Sequence, residues 1–382
     1  MTRLLRALPV PSGPTMLGLL PRLAELLDGR GDAVLPVPAD DPDQAHFLAS
    51  ELGADEPIAE DVAVVVCTSG TTGKPKGAML TGDALTASGS ATHTRLGGDG
   101  QWLLALPPHH IAGMQVLLRS IQAGTQPVVL DVSTGFSVPD FVRATAEMTG
   151  NRRYISLVAT QLVKALDDRE ASEALASFDA VLLGGGPLPA TVAIRAAQAR
   201  IPVVRTYGMS ETCGGCVYDG VALSGVQVQI GPEGRISLGG TTVAAGYRNM
   251  LTHKAFAETG WFHTDDFGEL DNGLLRVLGR LDEAIGTGGL TVVPQVVEAA
   301  LSTHPLVAEC AVFGVPDDRL GQRVAVAVVP SAEGTPTLEN LRDHVAATLE
   351  RTAAPRELHL LDELPRRGIG KLDRRALVKR FS

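Results

Sequence analysis

At 382 residues the chain exceeds what one hydrophobic core usually fills, so two or more domains are expected. Hydrophobic residues make up 45% and charged residues 20%, an ordinary balance for a globular protein. The net charge of −10 argues against non-specific binding to nucleic acid or anionic membrane, since both need basic surface.

No run reaches the ~18 consecutive apolar residues of a membrane helix. Near the start, Pro9, Pro11, Pro14 and Gly13 break any signal-peptide core. A cytoplasmic protein is expected, with Cys67, Cys213, Cys216 and Cys310 as small core residues in a reducing compartment. The first 60 residues hold a leucine-patterned helix, Leu19 to Leu27, stopped by Asp28-Gly29-Arg30-Gly31-Asp32, and a second short helix, Gln44 to Leu52. No chemistry is visible there.

The apolar run Val62 to Val66 reads as a buried strand, and Thr68-Ser69-Gly70-Thr71-Thr72-Gly73-Lys74-Pro75-Lys76-Gly77 follows it. Glycines let a backbone turn its N–H groups outward, hydroxyls donate further bonds and lysines add charge, which together suit a polyphosphate. The plain alternative is a flexible turn between strand and helix. It is not a Walker A loop, because Pro75 stands where Mg²⁺ would need a Ser or Thr.

From there the rhythm is strand, glycine turn, helix. Strands are expected at Trp102 to Leu106, Gln126 to Leu130, Tyr154 to Val158, Ala180 to Leu183 and Pro202 to Val204. Helices fall between them, at Gly82 to Leu96, Ile111 to Ala123, Pro139 to Met148, Ala159 to Leu166 and Pro189 to Ala199. This predicts an α/β fold with a largely parallel sheet covered by helices, and ligands beyond the carboxyl ends of its strands. The turns Gly184-Gly185-Gly186-Pro187 and Tyr207-Gly208 sit at such ends. A smaller β subdomain spans Gly225 to Gly246, and a compact α+β tail follows Arg280. The expected domains are therefore 1–281 and 282–382.

Several segments in order resemble the signatures of the acyl-adenylate-forming superfamily, which includes acyl-CoA synthetases, peptide-synthetase adenylation domains and luciferases. They are the decapeptide, Tyr207-Gly208-Met209-Ser210-Glu211-Thr212, Trp261-Phe262-His263-Thr264-Asp265-Asp266, Gly279-Arg280-Leu281-Asp282 and Gly370-Lys371-Leu372-Asp373-Arg374. The resemblance implies a large N-terminal domain and a small mobile C-terminal one. It implies ATP and Mg²⁺, with coenzyme A as co-substrate. Thr68, Ser69, Gly70, Thr71, Thr72, Gly73 and Lys76 would grip the phosphates, together with Gly185, Gly186, Tyr207, Gly208 and Ser210 around the nucleotide. Glu211 would be the Mg²⁺ ligand, Asp266 would hold the ribose hydroxyls and Arg280 would reach the sugar or a phosphate. Asp282 would be the hinge, and Lys371 the catalyst of adenylation. His110, in Pro107-x-x-His110-x-x-Gly113, would lie beside the acyl carboxylate, with His109 as its rival in register.

Asp265 replaces a usual Gly beside the ribose acid, and the phosphate loop starts early, which implies a shortened N-terminal lobe. Cys213-Gly214-Gly215-Cys216 invites a metal or redox reading but lacks further ligands at a suitable spacing.

Within the superfamily, Ser156-Leu157-Val158-Ala159-Thr160-Gln161-Leu162 and the Gly-Gly-x-Pro turn are most similar to the o-succinylbenzoate–CoA ligases of menaquinone synthesis, actinobacterial branch. Their substrate is a small aromatic dicarboxylic acid, and a buried second carboxylate needs a cation. Arg205, Arg152, Arg153 and Lys164 are candidates, with Arg205 preferred for its nearness to a site motif, and Ser156 as a further pocket residue. Other aryl or medium-chain acids, and a non-catalytic acyl- or nucleotide-binding homologue, are the alternatives. No nucleic-acid or membrane partner is implied, and a homodimer is left open.

Overall fold

The computed structural model describes residues 3–68, 74–367 and 371–382, with Arg367 and Lys371 as backbone alone. A first sheet runs β1 (Leu5–Val10), β2 (Ala33–Pro38), β3 (Val62–Thr68) and β4 (Lys76–Thr81), with the first three parallel and the last antiparallel. Strand β3 is buried through Val62–Val66, which is why it reads as an unbroken apolar run rather than an alternation. Helices α1 (Leu20–Leu27) and α2 (Pro42–Glu51) cover this sheet, and strands β1 and β2 were not anticipated. In both, prolines interrupt the apolar signal (Pro9, Pro36 and Pro38).

The second sheet holds β5 (Gln101–Leu104), β6 (Val128–Val129), β7 (Arg153–Val158), β8 (Ala180–Gly184), β9 (Val203–Met209), β10 (Gly214–Tyr218) and β11 (Val221–Ala222). Their spatial order is β11-β10-β9-β8-β7-β5-β6. Strands β5 to β9 pair in parallel, while β10 and β11 return antiparallel. Helices α3 (Gly82–Leu96) and α4 (Ile111–Gln122) lie in the core shared with the first sheet. Helices α5 (Val138–Ala146), α6 (Ala159–Leu166), α7 (Arg169–Ala176) and α8 (Ala190–Gln198) belong to the other face. The parallel α/β core expected from the sequence is therefore present.

Strand β9 extends through Tyr207 to Met209, well past the predicted Val204. Two features hold it extended where its glycine suggested a turn. Gly208 pairs with Gly215 across β10, and a Cβ on Gly208 would come within 2.1 Å of the Gly214 carbonyl oxygen. Only glycine permits that approach.

A third, antiparallel sheet contains β12 (Val226–Ile230), β13 (Arg235–Gly240), β14 (Trp261–Asp271) and β15 (Leu274–Arg280). The small C-terminal domain is built on β16 (Ile285–Thr287), β17 (Leu290–Val292), β18 (Val307–Asp317), β19 (Gly321–Pro330) and β20 (Glu357–Leu360). It also has α9 (Pro294–Leu301) and α10 (Leu338–Ala346), the short hairpin β21 (Arg366–Arg367) with β22 (Lys371–Leu372), and the last helix α11 (Arg374–Phe381). Its two apolar clusters are its own. Among the described residues no helix is long and apolar enough to cross a membrane.

Helix α4 begins at a fixed place for a steric reason. Its third residue, Gly113, lies so close to the turn before it that a Cβ would come within 2.5 Å of the Pro107 carbonyl oxygen and 2.7 Å of that of Leu106. Gly113→Ala is expected to cost about 1–3 kcal/mol through this overpacking. Chemical denaturation should show it as a lower midpoint with an unchanged slope.

Candidate active site

The carboxyl ends of β3, β5, β7, β8 and β9 all lead into predicted site segments. Thr68 closes β3, and Lys76 opens β4 directly opposite it in register. Ser69, Gly70, Thr71, Thr72 and Gly73 lie outside the described residues. The loop's exit is anchored by a stretch that sequence reasoning passed over, Gly246-Tyr247-Arg248-Asn249. The Met79 N–H donates to the Gly246 carbonyl (2.9 Å) and the Arg248 N–H to that of Gly77 (2.7 Å). The Asn249 amide accepts from the Gly77 N–H (3.4 Å) and donates to the Pro75 carbonyl (2.9 Å). The Lys76 ammonium lies 5.2 Å from the Tyr247 ring centroid and 3.2 Å from Nε2 of His253. Burial and the nearby Lys76 push the His253 pKa down, and its Nδ1 accepts from the Ala255 N–H at 3.2 Å.

Tyr247 links this loop to the acid expected to bind metal. Its hydroxyl donates to Oε1 of Glu211 at 2.6 Å, and the phenol pKa is held well above its usual value by burial and by that carboxylate. Glu211 is 7% exposed on a short 3₁₀ turn, Ser210–Thr212, immediately after β9. The turn ends at Cys213 in the left-handed region (φ +54°), a conformation a side chain adopts at a cost of roughly 1–2 kcal/mol. The Cys213 carbonyl accepts from the buried Ser88 hydroxyl (3.0 Å) and the buried Gln115 amide (2.8 Å), which together hold that strained backbone in place. The sequence signal for Tyr247 was slight: a Gly-Tyr-Arg-Asn stretch in a chain with only four tyrosines.

A second group forms around Asp266. Its Oδ2 accepts from the Tyr207 hydroxyl (2.8 Å) and its Oδ1 from Arg280 (3.0 Å), while Arg280 also grips Asp282 through Nε (2.8 Å) and Nη2 (3.1 Å). Tyr207, Asp266, Arg280 and Asp282, dispersed over 76 positions of sequence, thus form one hydrogen-bonded series. Burial pushes the Asp266 pKa up, and Arg280 and Tyr207 oppose it. Asp265, next to the ribose acid in sequence, lies on the opposite face of β14, exposed and paired with Arg235 at 3.2 Å. The reason is the two-residue period of a strand, which sends neighbouring side chains to opposite faces.

His110 is the residue preceding the first turn of α4, with extended backbone, and its ring lies 4.4 Å from that of His109. His109 is half-buried, and burial lowers its pKa. Gly185 and Gly186 follow β8 in the turn expected of them, and Ser156 is buried in β7. Arg205 is not gathered into this assembly. It forms an exposed ion pair with Asp219 (3.5 Å). Arg152 and Arg153 lie at the amino end of β7, and Lys164 is exposed on α6. The backbone of Lys371 pairs with Arg367 in the terminal hairpin.

A different arginine is buried beside these elements. Arg119, two turns along α4 from Ile111, is 3% exposed, and among the described residues no carboxylate lies within ion-pairing distance of it. Its guanidinium carbon sits 5.2 Å from the Trp102 ring centroid, Nη2 reaches the Tyr218 hydroxyl at 3.5 Å, and Nε has no hydrogen-bond partner. One turn closer to His110, the Gln115 amide oxygen is also buried without a partner. Buried polar atoms without a partner are uncommon, and here two of them, on Gln115 and Arg119, lie one turn apart on α4. Periodicity concealed Arg119, because it occupies a regular buried position on a largely apolar helix.

The cysteines are structural. Cys213 and Cys216 are fully buried, and burial raises all four thiols, Cys67 to about 11 and Cys216 to about 12. Among the described residues no group of three or more His, Cys, Asp or Glu is placed to hold a metal. At pH 8 the native protein should react only slowly with Ellman's reagent, and all four thiols should react at once in guanidinium.

The family model of the AMP-binding enzymes matches residues 20–247, and that of the AMP-binding enzyme C-terminal domain matches residues 296–371. A Mycobacterium tuberculosis protein named probable 2-succinylbenzoate–CoA ligase is 59% identical over 383 aligned positions, covering 99% of both chains. The o-succinylbenzoate CoA synthetase of Bacillus subtilis, solved with its acyl-adenylate intermediate, superposes with a TM-score of 0.76 at 28% identity, over 98% of this chain and 87% of that one. The same enzyme with ATP and magnesium gives 0.78 at 28% identity, over 98% and 89%. The chain belongs to the AMP-binding enzyme family, within the acyl-adenylate-forming superfamily that its motifs resemble.

Proposed function

We propose that the chain is an ATP-dependent o-succinylbenzoate–CoA ligase. In the first step a substrate carboxylate oxygen attacks the α-phosphorus of ATP, and the α–β phosphoanhydride bond breaks to release pyrophosphate. In the second, the coenzyme A sulfur attacks the acyl carbonyl, and AMP leaves with the bonding electrons. The names of the similar proteins support the substrate, and the position of Arg119 in this chain supports it independently.

The residues divide the work. The 68–77 loop would hold the β- and γ-phosphates, with Lys76 kept in place by Tyr247 and His253. Asp266, with Arg280, would accept the two ribose hydroxyls. His110, at the positive N-terminal end of α4, would orient the reacting carboxylate. Arg119 lies about 13.5 Å farther along that helix, at 1.5 Å per residue, which suits the far carboxylate of an aromatic dicarboxylic acid. Paired with that carboxylate, a buried guanidinium recovers the interaction that burial denies it.

Magnesium supplies charge neutralisation to the leaving pyrophosphate when bound with ATP. Glu211 fits it: Mg²⁺ commonly takes one or two carboxylates and fills its shell with water and phosphate oxygens, and Tyr247 fixes this carboxylate's direction. Lys371 would reach the reacting centre from the small domain, whose boundary we place at Leu281–Asp282, with Asp282 as the hinge.

A panel of carboxylic acids assayed for acid-dependent pyrophosphate release tests the reading. O-succinylbenzoate should exceed benzoate, succinate and medium-chain fatty acids by at least about a hundredfold in kcat/KM, the discrimination expected of a site built to pair a charged group. Equal turnover of a monocarboxylate would overturn the substrate assignment, and no turnover of any acid would favour a non-catalytic homologue.

A further inference from the structure

We infer that Arg374 is a positioning residue for adenylation, pegging the segment that carries Lys371 to the hinge turn. The inference rests on the reading of Lys371 as the adenylation catalyst.

The guanidinium of Arg374 is almost fully used. Its Nε donates to the Val312 carbonyl on β18 (3.1 Å). Nη1 donates to Oε2 of Glu283, the residue after Asp282 (2.6 Å), and Nη2 donates to both oxygens of Glu298 on α9 (2.7 and 2.6 Å). Glu298 is itself oriented by the Val312 N–H at 2.7 Å, and the Gln295 amide donates to Glu283. Three separate pieces of the small domain therefore meet on one side chain.

That side chain stands three residues beyond Lys371, with little slack between them. Arg366 pairs with Leu372 and Arg367 with Lys371 in the hairpin. The Asp373 N–H donates to the Pro365 carbonyl (2.8 Å), and the Asp373 carboxylate caps α11 by accepting from the Ala376 N–H (3.1 Å). A displacement of Arg374 would thus be transmitted along a paired hairpin.

The hinge turn is held from both sides. Asp282 is gripped by Arg280, which precedes it at the end of the third sheet, and Glu283 by Arg374 from the small domain. Adjacent acids answering to arginines from opposite sides leave the backbone between them as the swivel. They also bind Lys371 to the small-domain half of it. Anchoring α11 to the domain core would need Glu298 alone; the arm to Glu283 adds a link to the hinge, and packing does not require it.

The test compares Arg374→Lys, Glu283→Gln and Lys371→Ala in the full-length protein, in both half-reactions. Lysine keeps the charge but lacks the planar guanidinium that spans these separated acceptors. Arg374→Lys is expected to lower kcat for pyrophosphate release by about 10–100-fold, the scale of a displacement near 1 Å, with the KM for ATP within about twofold. Thioester formation from preformed acyl-adenylate and coenzyme A should stay within about threefold of wild type, and Glu283→Gln should show the same split to a smaller degree. If Arg374→Lys fails to fold, Glu283→Gln carries the test, because its carboxylate is only partly buried. An equal fall in both half-reactions, or no fall in either, overturns the inference. If Lys371→Ala abolishes pyrophosphate release and Arg374→Lys leaves it intact, the positioning role alone is lost. If Lys371→Ala is itself unimpaired, the catalytic reading falls and the positioning role with it.

Discussion

Lys371→Ala is expected to lower acid-dependent pyrophosphate release by roughly a thousandfold while leaving thioester formation from preformed acyl-adenylate close to wild type. The asymmetry follows from where charge develops. As the carboxylate attacks the α-phosphorus, negative charge accumulates on phosphate oxygens, and a cation delivered there is worth more in the transition state than in the bound ground state. The second half-reaction expels AMP from an acyl carbon, and the same lysine is not needed at that centre. ATP affinity should therefore change little and the loss should appear in kcat. Quenched-flow measurement of pyrophosphate, beside a thioester assay started from the adenylate, separates the two. An equal loss in both would assign Lys371 to folding or domain closure instead.

The core elements were legible because their signals are local. The unbroken apolar run of β3 and the helical spacing of α3 and α6 each express a single element's burial. Strands β1 and β2 were lost behind prolines, and the long β14–β15 hairpin behind polar residues on its exposed face. At the site, Glu211, Asp266 and Arg280 lay within short motifs; the structure joins Asp266 and Arg280 to Tyr207 and Asp282, and Glu211 to Tyr247. Tyr247 and Arg119 were not legible. Their roles arise from long-range contacts, to Glu211 across 36 positions and to Tyr218 across 99, and no local pattern encodes such a pairing. Arg205 shows the converse error: nearness in sequence to a site motif says nothing about which face of the strand a side chain takes, and Asp219 holds it in an exposed pair.

Arg119→Leu separates a ligand-holding arginine from a structural one by giving opposite signs in two measurements. For a structural buried arginine, truncation breaks an ion pair and costs stability, about 3–5 kcal/mol when the partner charge is left buried. Here no carboxylate among the described residues faces the guanidinium, so leucine removes a desolvated charge and leaves only two weak debts. One is the long hydrogen bond to Tyr218, whose hydroxyl keeps Thr92 as a partner at 3.0 Å. The other is the stacking on Trp102, worth about 0.5–2 kcal/mol. The cost of an unpaired buried charge is several kcal/mol, so the balance favours the variant. The unliganded Arg119→Leu protein is expected to melt at the same temperature as wild type or higher. Catalysis should move the other way: kcat/KM for o-succinylbenzoate should fall by roughly a thousandfold, because its second carboxylate would enter an apolar pocket unpaired. Turnover of a benzoate lacking that carboxylate should hold or rise, since the pocket no longer contains an unanswered cation. Differential scanning fluorimetry and the two substrate assays decide it, and a variant that is both less stable and equally impaired on both acids would place Arg119 in the fold and outside the substrate pocket.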